Sequence, residues 1–237
     1  MSILDWIYPP RCISCRTIFS PTHNSKKRYL CEECEGLFVP LSGPLCEKCG
    51  HPYISQIAAT VCPSCKSSNT HFNKHSAAFA YADTVRELVL NSKYHSQRQI
   101  SQGLGELFAA ALKAKNAKIT GDFIVPIPLH PSKLRSRGFN QATILAKPIS
   151  ATFNIPIAEH LLKRIIKTVP QSSLDSVGRE ENLVGAFSCG DVANKHLILI
   201  DDIFTTGATM NTCAKLLLEN SATMVDCYSL SIALKKD

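Results

Sequence analysis

The stretch LILIDDIFTTGATM, residues 197–210, decides the fold of this 237-residue chain. Four apolar residues lead into two adjacent carboxylates, Asp201 and Asp202, and a short loop of small residues follows them. The apolar run predicts a buried strand, and the periodicity after the loop predicts a helix that begins at Thr209. Strand, loop and helix in this order are typical of a parallel sheet whose ligand lies beyond the carboxyl ends of the strands.

The loop between the predicted strand and helix has the composition of a phosphate site. Its backbone N–H groups, the helix N-terminus and the threonine hydroxyls can donate hydrogen bonds to an anion, and a glycine lets the backbone approach it. A Walker loop is excluded because no Gly-Lys-Ser/Thr follows. The candidate phosphate-binding residues are Thr205, Thr206, Gly207, Ala208 and Thr209.

The two carboxylates need a different partner, since they would repel a phosphate. Asp201 and Asp202 suit the vicinal hydroxyls of a ribose, and we take them as the candidate catalytic pair. The alternative is a plain strand, turn and helix with an aspartate cap. That alternative leaves the acidic pair and the TTGAT sequence unexplained, so the sequence predicts a site for a 5-phosphorylated ribose.

The regions around this stretch alternate between strand and helix patterns. Pro148 should kink or end the helix in which it lies. The alternation predicts an α/β domain in which helices cover both faces of a parallel sheet. Strands are predicted at 77–82, 122–128, 195–202 and 223–233, and helices at 85–94, 99–115, 138–153 and 209–219.

Eight of the eleven cysteines precede residue 66 and form four Cys-x-x-Cys pairs. Each pair directs two thiolates to one point, and two neighbouring pairs complete a tetrahedral four-cysteine zinc site. A redox-active Cys-x-x-Cys would instead stand singly, ahead of a helix in a βαβ unit. We therefore expect two structural zinc ions, while the spacing leaves crossed pairing of the knuckles open. The candidate ligands are Cys12, Cys15, Cys31, Cys34, Cys46, Cys49, Cys62 and Cys65.

Four histidines near the cysteines could in principle replace a ligand. The eight cysteines already complete two sites, so we expect these histidines at the surface. They are His23, His51, His71 and His75.

A basic cluster follows the predicted strand at 122–128. Lys133, Arg135 and Arg137 lie in a stretch, residues 123–158, that contains no acidic residue. Their place directly after a central strand puts them at the ligand edge of the sheet, which favours anion binding over a solvated helix face. The anion is either pyrophosphate or a nucleic-acid backbone, and the sequence leaves both open.

Composition sets the remaining limits. Hydrophobic residues make up 45% of the chain, enough for a core, which excludes wholesale disorder. The net charge of +7 permits anionic partners. No apolar run reaches the ~18 residues of a membrane span, and the start lacks the pattern of a secretory signal. We expect a cytoplasmic location, and the apolar residues among 3–8 either pack on the protein or contact the inner membrane peripherally.

Several segments together carry a family resemblance. LILIDDIFTTGAT is similar to the phosphoribosyl-pyrophosphate (PRPP) signature of type I phosphoribosyltransferases, and it is joined by VPIPLHPSKLRSRGFNQA at 125–142, by residues 179–187 and by the cysteine pairs. The combination resembles the ComF family of ComFC-like competence proteins. The resemblance implies a double zinc ribbon over residues 1–75 and a type I phosphoribosyltransferase-like domain over 76–237. It also implies a role in DNA uptake, with single-stranded DNA and proteins of the uptake machinery as partners on the cytoplasmic side.

The resemblance also implies roles for the candidate residues. Asp201 and Asp202 would bind the ribose, residues 205–209 the 5-phosphate, and Lys133, Arg135 and Arg137 the pyrophosphate of PRPP with its Mg²⁺. Residues 163–179 would form a loop over the site. Two functions stay open: a competence protein that keeps the PRPP pocket for binding, and an active phosphoribosyltransferase with an unknown acceptor.

Overall fold

The computed structural model describes residues 9, 11–19, 29–53, 60–94, 97–115, 117–167, 183 and 185–234. Two short helices, α1 (Glu32–Gly36) and α2 (Pro63–Ser67), lie in the cysteine-rich region. The remaining elements are, in chain order, β1 (His75–Ala80), α3 (Asp83–Asn91), α4 (Arg98–Ala114), β2 (Phe123–Pro126), α5 (Pro131–Arg137), α6 (Gln141–Phe153), a 3₁₀ turn (Glu159–Leu161), β3 (Leu162–Arg164), β4 (Phe187–Cys189), β5 (His196–Phe204), α7 (Ala208–Glu219) and β6 (Met224–Ile232).

Among the described residues, the main sheet has four strands in the order β1-β6-β5-β2, and all neighbouring pairs are parallel. The strand predicted from the opening stretch, β5, lies inside the sheet between β6 and β2. Its residue Leu197 pairs with Val225 on one side and Phe123 on the other. β3 and β4 form a separate antiparallel pair of three residues each, too short to leave a periodic signal in the sequence.

Side chains of β5 alternate between two hydrophobic cores, one on each face of the sheet. Leu197 and Leu199 pack with the core that contains residues of α7. Ile198 and Ile200 pack on the opposite face, with residues of α3, α4 and α6. The predicted α/β fold, a parallel sheet covered by helices on both faces, is therefore confirmed.

The two halves of the cysteine-rich region pack on opposite faces of this sheet. Cys12 and Cys34 belong to the core beside α4, and Cys46 and Cys49 to the core beside α7. Between the two halves the chain passes the outer edge of β1, where Leu41 N–H donates to the Ala78 carbonyl at 3.2 Å. The cysteine-rich region therefore contacts both faces of the sheet and its edge at β1. The domain boundary predicted after residue 75 falls inside β1, which begins at His75.

Helix α6 continues through Pro148, so of the two outcomes expected at this proline, a kink or the end of the helix, the second is wrong. Proline has no N–H to donate to the carbonyl of Ile144. At this turn α6 packs closely on Gly105 of α4, where a β carbon would lie 3.3 Å from the Ile144 oxygen and 3.2 Å from Pro148 Cγ. The interhelical packing keeps the turn helical despite the missing hydrogen bond.

None of the helices in the described ranges combines the length and the apolar character that a bilayer crossing requires.

A second close contact, at Gly103 of α4, joins the helix to the first cysteine-rich half. A β carbon there would lie 2.6 Å from both Ile13 Cδ1 and Tyr29 Cβ. We expect Gly103→Ala to lower the free energy of unfolding by roughly 1–3 kcal/mol, the usual cost of overpacking, although alanine favours a helix. Urea unfolding measures the change, with Gly36→Ala as control because nothing lies within 4 Å of a β carbon there. Equal stability of the two variants would contradict this tight contact.

Candidate functional site

The structure brings the eight paired cysteines together as two groups of four. Within each group the four Sγ atoms lie within 4.8 Å of one another. The Sγ atoms of Cys15 and Cys31 are 3.7 Å apart, and those of Cys49 and Cys62 are 3.9 Å apart. A tetrahedron with Zn–S bonds of about 2.3 Å has edges of about 3.8 Å, so both groups fit zinc. Zinc site 1 comprises Cys12, Cys15, Cys31 and Cys34, and zinc site 2 comprises Cys46, Cys49, Cys62 and Cys65.

This grouping resolves the pairing that the spacing left open. Each site uses two consecutive Cys-x-x-Cys knuckles, so the pairing is sequential and not crossed. In zinc site 2, the Cys62 N–H also donates to Cys46 Sγ at 3.3 Å, which fixes one knuckle against the other. The predicted two four-cysteine sites are confirmed.

The acidic pair lies near the carboxyl end of β5. The Asp202 N–H donates to Asp201 Oδ1 at 2.8 Å, and Ser231 Oγ on β6 donates to the Asp202 carbonyl at 3.0 Å. Lys93 Nζ lies 3.2 Å from Asp202 Oδ2. Burial, and then the charge of Asp202, hold the pKa of Asp201 well above its ordinary value. A cation, or a hydroxyl that donates a hydrogen bond from a ligand, would stabilise the charged form of Asp201.

A cavity of about 200 Å³ opens beside the acids. Four cationic side chains line it, together with the neutral side chains of Asn140 and Gln141. Burial, and then the charges of neighbouring cations, lower the pKa of Lys133. An anion in the cavity would therefore be bound by groups that now repel one another. The four cations are Lys93, Lys133, Arg137 and Arg164.

The short helix α5 decides which residues of the basic cluster reach the cavity. Lys133 and Arg137 are four residues apart, so they lie on the same face of the helix and both line the cavity. Arg135 lies on another face and is exposed. His130 Nδ1 caps the helix by accepting from Ser132 N–H at 3.3 Å. The structure therefore separates Arg135 from the two cations with which it was grouped.

The RGFNQ segment, residues 137–141, links three parts of the cavity lining, namely the end of α5, the residues that follow β2 and the residues that follow α3. Gly138, with φ of +78°, ends α5 in the left-handed region. Asn140 begins α6: its Oδ1 accepts from Ala142 N–H at 3.2 Å, and its Nδ2 donates to the Ile127 carbonyl beyond β2 at 3.0 Å. Gln141 Nε2 donates to Ser92 Oγ, next to Lys93. These contacts hold the segments that carry Lys93 and Arg137 beside the two acids.

The predicted phosphate loop connects β5 to α7. Gly207 adopts φ of +81° directly before α7, and a β carbon there would lie 2.5 Å from Phe204 Cζ. Both the backbone angle and the ring require glycine. Ala208 N–H donates to Thr206 Oγ1 at 3.4 Å. Thr209 lines the cavity, while Thr205 and Thr206 are exposed at the turn.

Two of the four cavity cations, Lys93 and Arg164, were not among the residues predicted from the sequence. Lys93 follows α3 by two residues, and no local pattern ties it to an acid more than a hundred residues later. Arg164 ends β3, a strand too short to predict. The implied loop at 163–179 is described only to residue 167, and residues 179–182, the apolar residues among 3–8 and His23 lie outside the described part of the chain.

The raised pKa of Asp201 predicts a gain in stability from Asp201→Asn. Folding places the Asp201 carboxyl group where its charged form is disfavoured, and the neutral amide of asparagine avoids that cost at neutral pH. We expect the melting temperature to rise by about 2–4 °C, the effect of ~1 kcal/mol in a chain of this size. The difference should shrink as the pH falls, because Asp201 becomes protonated in the folded state before it does in the unfolded state. A melting series from pH 8 to about pH 4, the ordinary pKa of an unfolded aspartate, tests this, and a gain that did not decrease as the pH falls would contradict it.

The chain has relatives among competence and DNA utilization proteins. The Double zinc ribbon domain family matches residues 3–68. Competence protein F of Haemophilus influenzae is 29% identical over 232 residues, which cover 94% of this chain and 97% of that protein. DNA utilization protein YhgH of Escherichia coli K12 is 29% identical, covering 78% of this chain and 83% of that protein. Competence protein ComFC of Bacillus subtilis is 24% identical, covering 92% and 93%.

Solved structures show more distant similarities. Glutamine PRPP amidotransferase from B. subtilis matches 54% of this chain and 25% of its own, with a TM-score of 0.36 and 18% identity. Purine phosphoribosyltransferase from Pyrococcus horikoshii matches 56% and 72%, with a TM-score of 0.32 and 14% identity. The sequence relatives, together with the double zinc ribbon and the parallel sheet, confirm the resemblance of this chain to the ComF family of competence proteins.

Proposed function

We propose that this protein serves DNA uptake and binds a ribose phosphate of the PRPP class in the cavity beside Asp201 and Asp202. One observation carries the proposal: an acidic pair and four cations line the same small cavity. Phosphate alone would be repelled by the acids, and a neutral sugar would leave the cations unused. A ribose that bears phosphates presents hydroxyls and anionic groups on one small frame, and so matches both.

Each part of such a ligand has a counterpart in or beside the cavity. The ribose hydroxyls donate hydrogen bonds to the acidic pair, or share Mg²⁺ with it. Either contact favours the charged form of Asp201 and lowers its raised pKa. The 5-phosphate lies at the N-terminus of α7, against residues 205–209. A pyrophosphate group lies against Lys133 and Arg137, both of which have pKa values lowered chiefly by burial. Mg²⁺ would supply charge neutralisation between the ribose and the pyrophosphate.

An active phosphoribosyltransferase remains the alternative, and it needs room for an acceptor. The cavity of about 200 Å³ is below the ~300–1,000 Å³ usual for small-molecule sites. A second cavity of about 630 Å³ shares Pro128, Leu129, Asn140 and Arg164 with it. Transfer of ribose 5-phosphate would place the acceptor there. Release of pyrophosphate from PRPP, only when a base or amine is added, would favour this enzyme.

A different observation supports a contact with single-stranded DNA. Arg98, Lys147 and Lys163 are exposed and line the second cavity, which Phe139 and Leu162 make apolar inside. Arg135 is exposed on the nearby helix α5. Cations around an apolar recess suit a strand whose phosphates stay outside while a base enters. We place this binding on the cytoplasmic side, where reducing conditions preserve zinc thiolates, with uptake proteins as further partners.

The ribose phosphate proposal predicts stabilisation by its ligand. PRPP with Mg²⁺ at about 100 times the dissociation constant should stabilise the fold by about 2.7 kcal/mol, or about 5–10 °C in melting temperature. Asp201→Ala combined with Asp202→Ala should abolish this shift, because the hydroxyl and metal partners are gone. Glu219→Ala, at the exposed end of α7, is the matched control and should keep it. A full shift in the double variant would overturn the role of the acids.

The DNA proposal predicts a salt-dependent affinity for single strands. Arg135→Ala combined with Lys163→Ala should flatten the plot of log affinity against log salt by about 1.4, since each phosphate contact contributes about 0.7. Fluorescence anisotropy with an oligo-dT strand measures the slope, and Lys215→Ala, on exposed α7 surface, is the control. The PRPP shift should persist in the double variant. An unchanged slope would exclude this surface and direct the search to the zinc ribbons.

A further inference from the structure

His75 lies between zinc site 2 and the phosphate loop. The expectation that it is a surface residue is wrong, since its exposed fraction is only 2%. His75 Nδ1 lies 2.7 Å from the carbonyl oxygen of Cys49, a ligand of zinc site 2. Because a carbonyl can only accept, the ring N–H donates this hydrogen bond. Its Nε2 lies 2.9 Å from Ser229 Oγ on β6. The ring is therefore fixed at both ends and cannot shift independently of the Cys46–Cys49 knuckle.

The face of the His75 ring supports Phe204, the last residue of β5. The two rings are stacked, with centroids 3.8 Å apart and planes inclined by 19°. The outer edge of the Phe204 ring meets the phosphate loop, where the missing β carbon of Gly207 would lie 2.5 Å from Phe204 Cζ and 2.9 Å from Cε2. A displacement of His75 would thus move the ring on which the loop's backbone lies.

A second connection runs through Asn211 in the first turn of α7. Its Oδ1 accepts from His71 N–H at 2.6 Å, and its Nδ2 donates to the Asn69 carbonyl at 3.1 Å. Asn69 and His71 follow the last ligand of zinc site 2, Cys65, by a few residues. The N–H of Asn211 also donates to the Gly207 carbonyl at 2.8 Å. The start of α7 is therefore tied to zinc site 2 independently of the aromatic stack.

Zinc site 1 offers an internal comparison. Its residues Cys12 and Cys34 pack in the core on the opposite face of the sheet, with α4. Phe204, Ala208 and the cysteines of zinc site 2 share the other core. The two sites have the same chemistry and differ in which face of the sheet they cover.

We infer that zinc site 2 holds the phosphate loop in its binding conformation, and that zinc site 1 does not. Loss of zinc from site 2 then loosens residues 204–211 and lowers the affinity for ribose phosphate. Because coupling between two binding sites is reciprocal, the ribose phosphate also retards the loss of zinc from site 2. The part that concerns the ligand rests on the proposed function, whereas the part that concerns the loop does not.

Hydrogen exchange on the full-length protein tests the coupling without any ligand. Cys62→Ser should accelerate exchange of the amides at 205–211 by about tenfold or more. Cys31→Ser, the matched variant at zinc site 1, should change it less than about twofold. Zinc analysis of each protein should give two ions in the wild type and one in each variant. Asn211→Ala, which keeps all eight cysteines, should retain both ions and still accelerate exchange, because it cuts only the second connection.

The outcomes separate this inference from the proposed function. Unchanged exchange at 205–211 in Cys62→Ser and Asn211→Ala overturns the coupling, as does equal acceleration in Cys31→Ser, which would mean general destabilisation. Selective acceleration supports the coupling even when PRPP gives the wild type no thermal shift, and in that case only the proposed function fails. When PRPP does bind, PRPP with Mg²⁺ should slow zinc transfer from Cys31→Ser, which retains site 2, to a chromogenic chelator. An unchanged rate would contradict the reciprocal coupling.

Discussion

Two adjacent carboxylates near the end of an interior parallel strand repel each other, and the cations that line the cavity compensate this repulsion only in part, since the pKa of Asp201 stays raised. The backbone of β5 cannot move away, because it is paired with β6 and β2 on both sides. Compensation therefore comes from side chains of other elements, first from Lys93, which lies 3.2 Å from Asp202. Arg137 faces both acids, and their charges partly oppose the lowering of its pKa by burial. The acids thus organise residues that follow α3 and residues of α5 into one site.

The parts of this arrangement that are local in sequence could be predicted. The apolar run of β5, the small residues of the loop and the cysteine pairs each carry their signal within a few residues, since strand burial, tight turns and knuckles are short-range features. Lys93 and Arg164 could not be found this way, because their partners are distant in sequence and a single cation has no period. The separation of Arg135 from Arg137 did leave a signal. Pro131 in the first turn and Gly138 after the last mark a helix, whose phase separates residues two apart.

The role of His75 could not be predicted from the sequence for a different reason. Near four cysteine pairs, a histidine is either a ligand or a surface residue on composition alone. The structure gives it a third role, in which the ring packs between a zinc knuckle and Phe204. Burial lowers its pKa to about 3, so the ring is neutral and packs as an aromatic group at ordinary pH. Such a role depends on which face of the sheet each zinc ribbon covers, and this follows from the path of the chain around the edge of β1.

The shared wall between the two cavities bears on how the two proposed ligands coexist. Arg164 lines both, and its charge lowers the pKa of Lys133, as does that of Arg137, after the larger effect of burial. An anion in the smaller cavity would offset the positive charge of Arg164 and its neighbours. The rim of the larger cavity would then attract a nucleic-acid phosphate less strongly. Arg98, Lys147 and Lys163 line only the larger cavity. The two ligands therefore compete for Arg164 and not for the whole surface, so electrostatics alone makes their binding weakly antagonistic without making it exclusive.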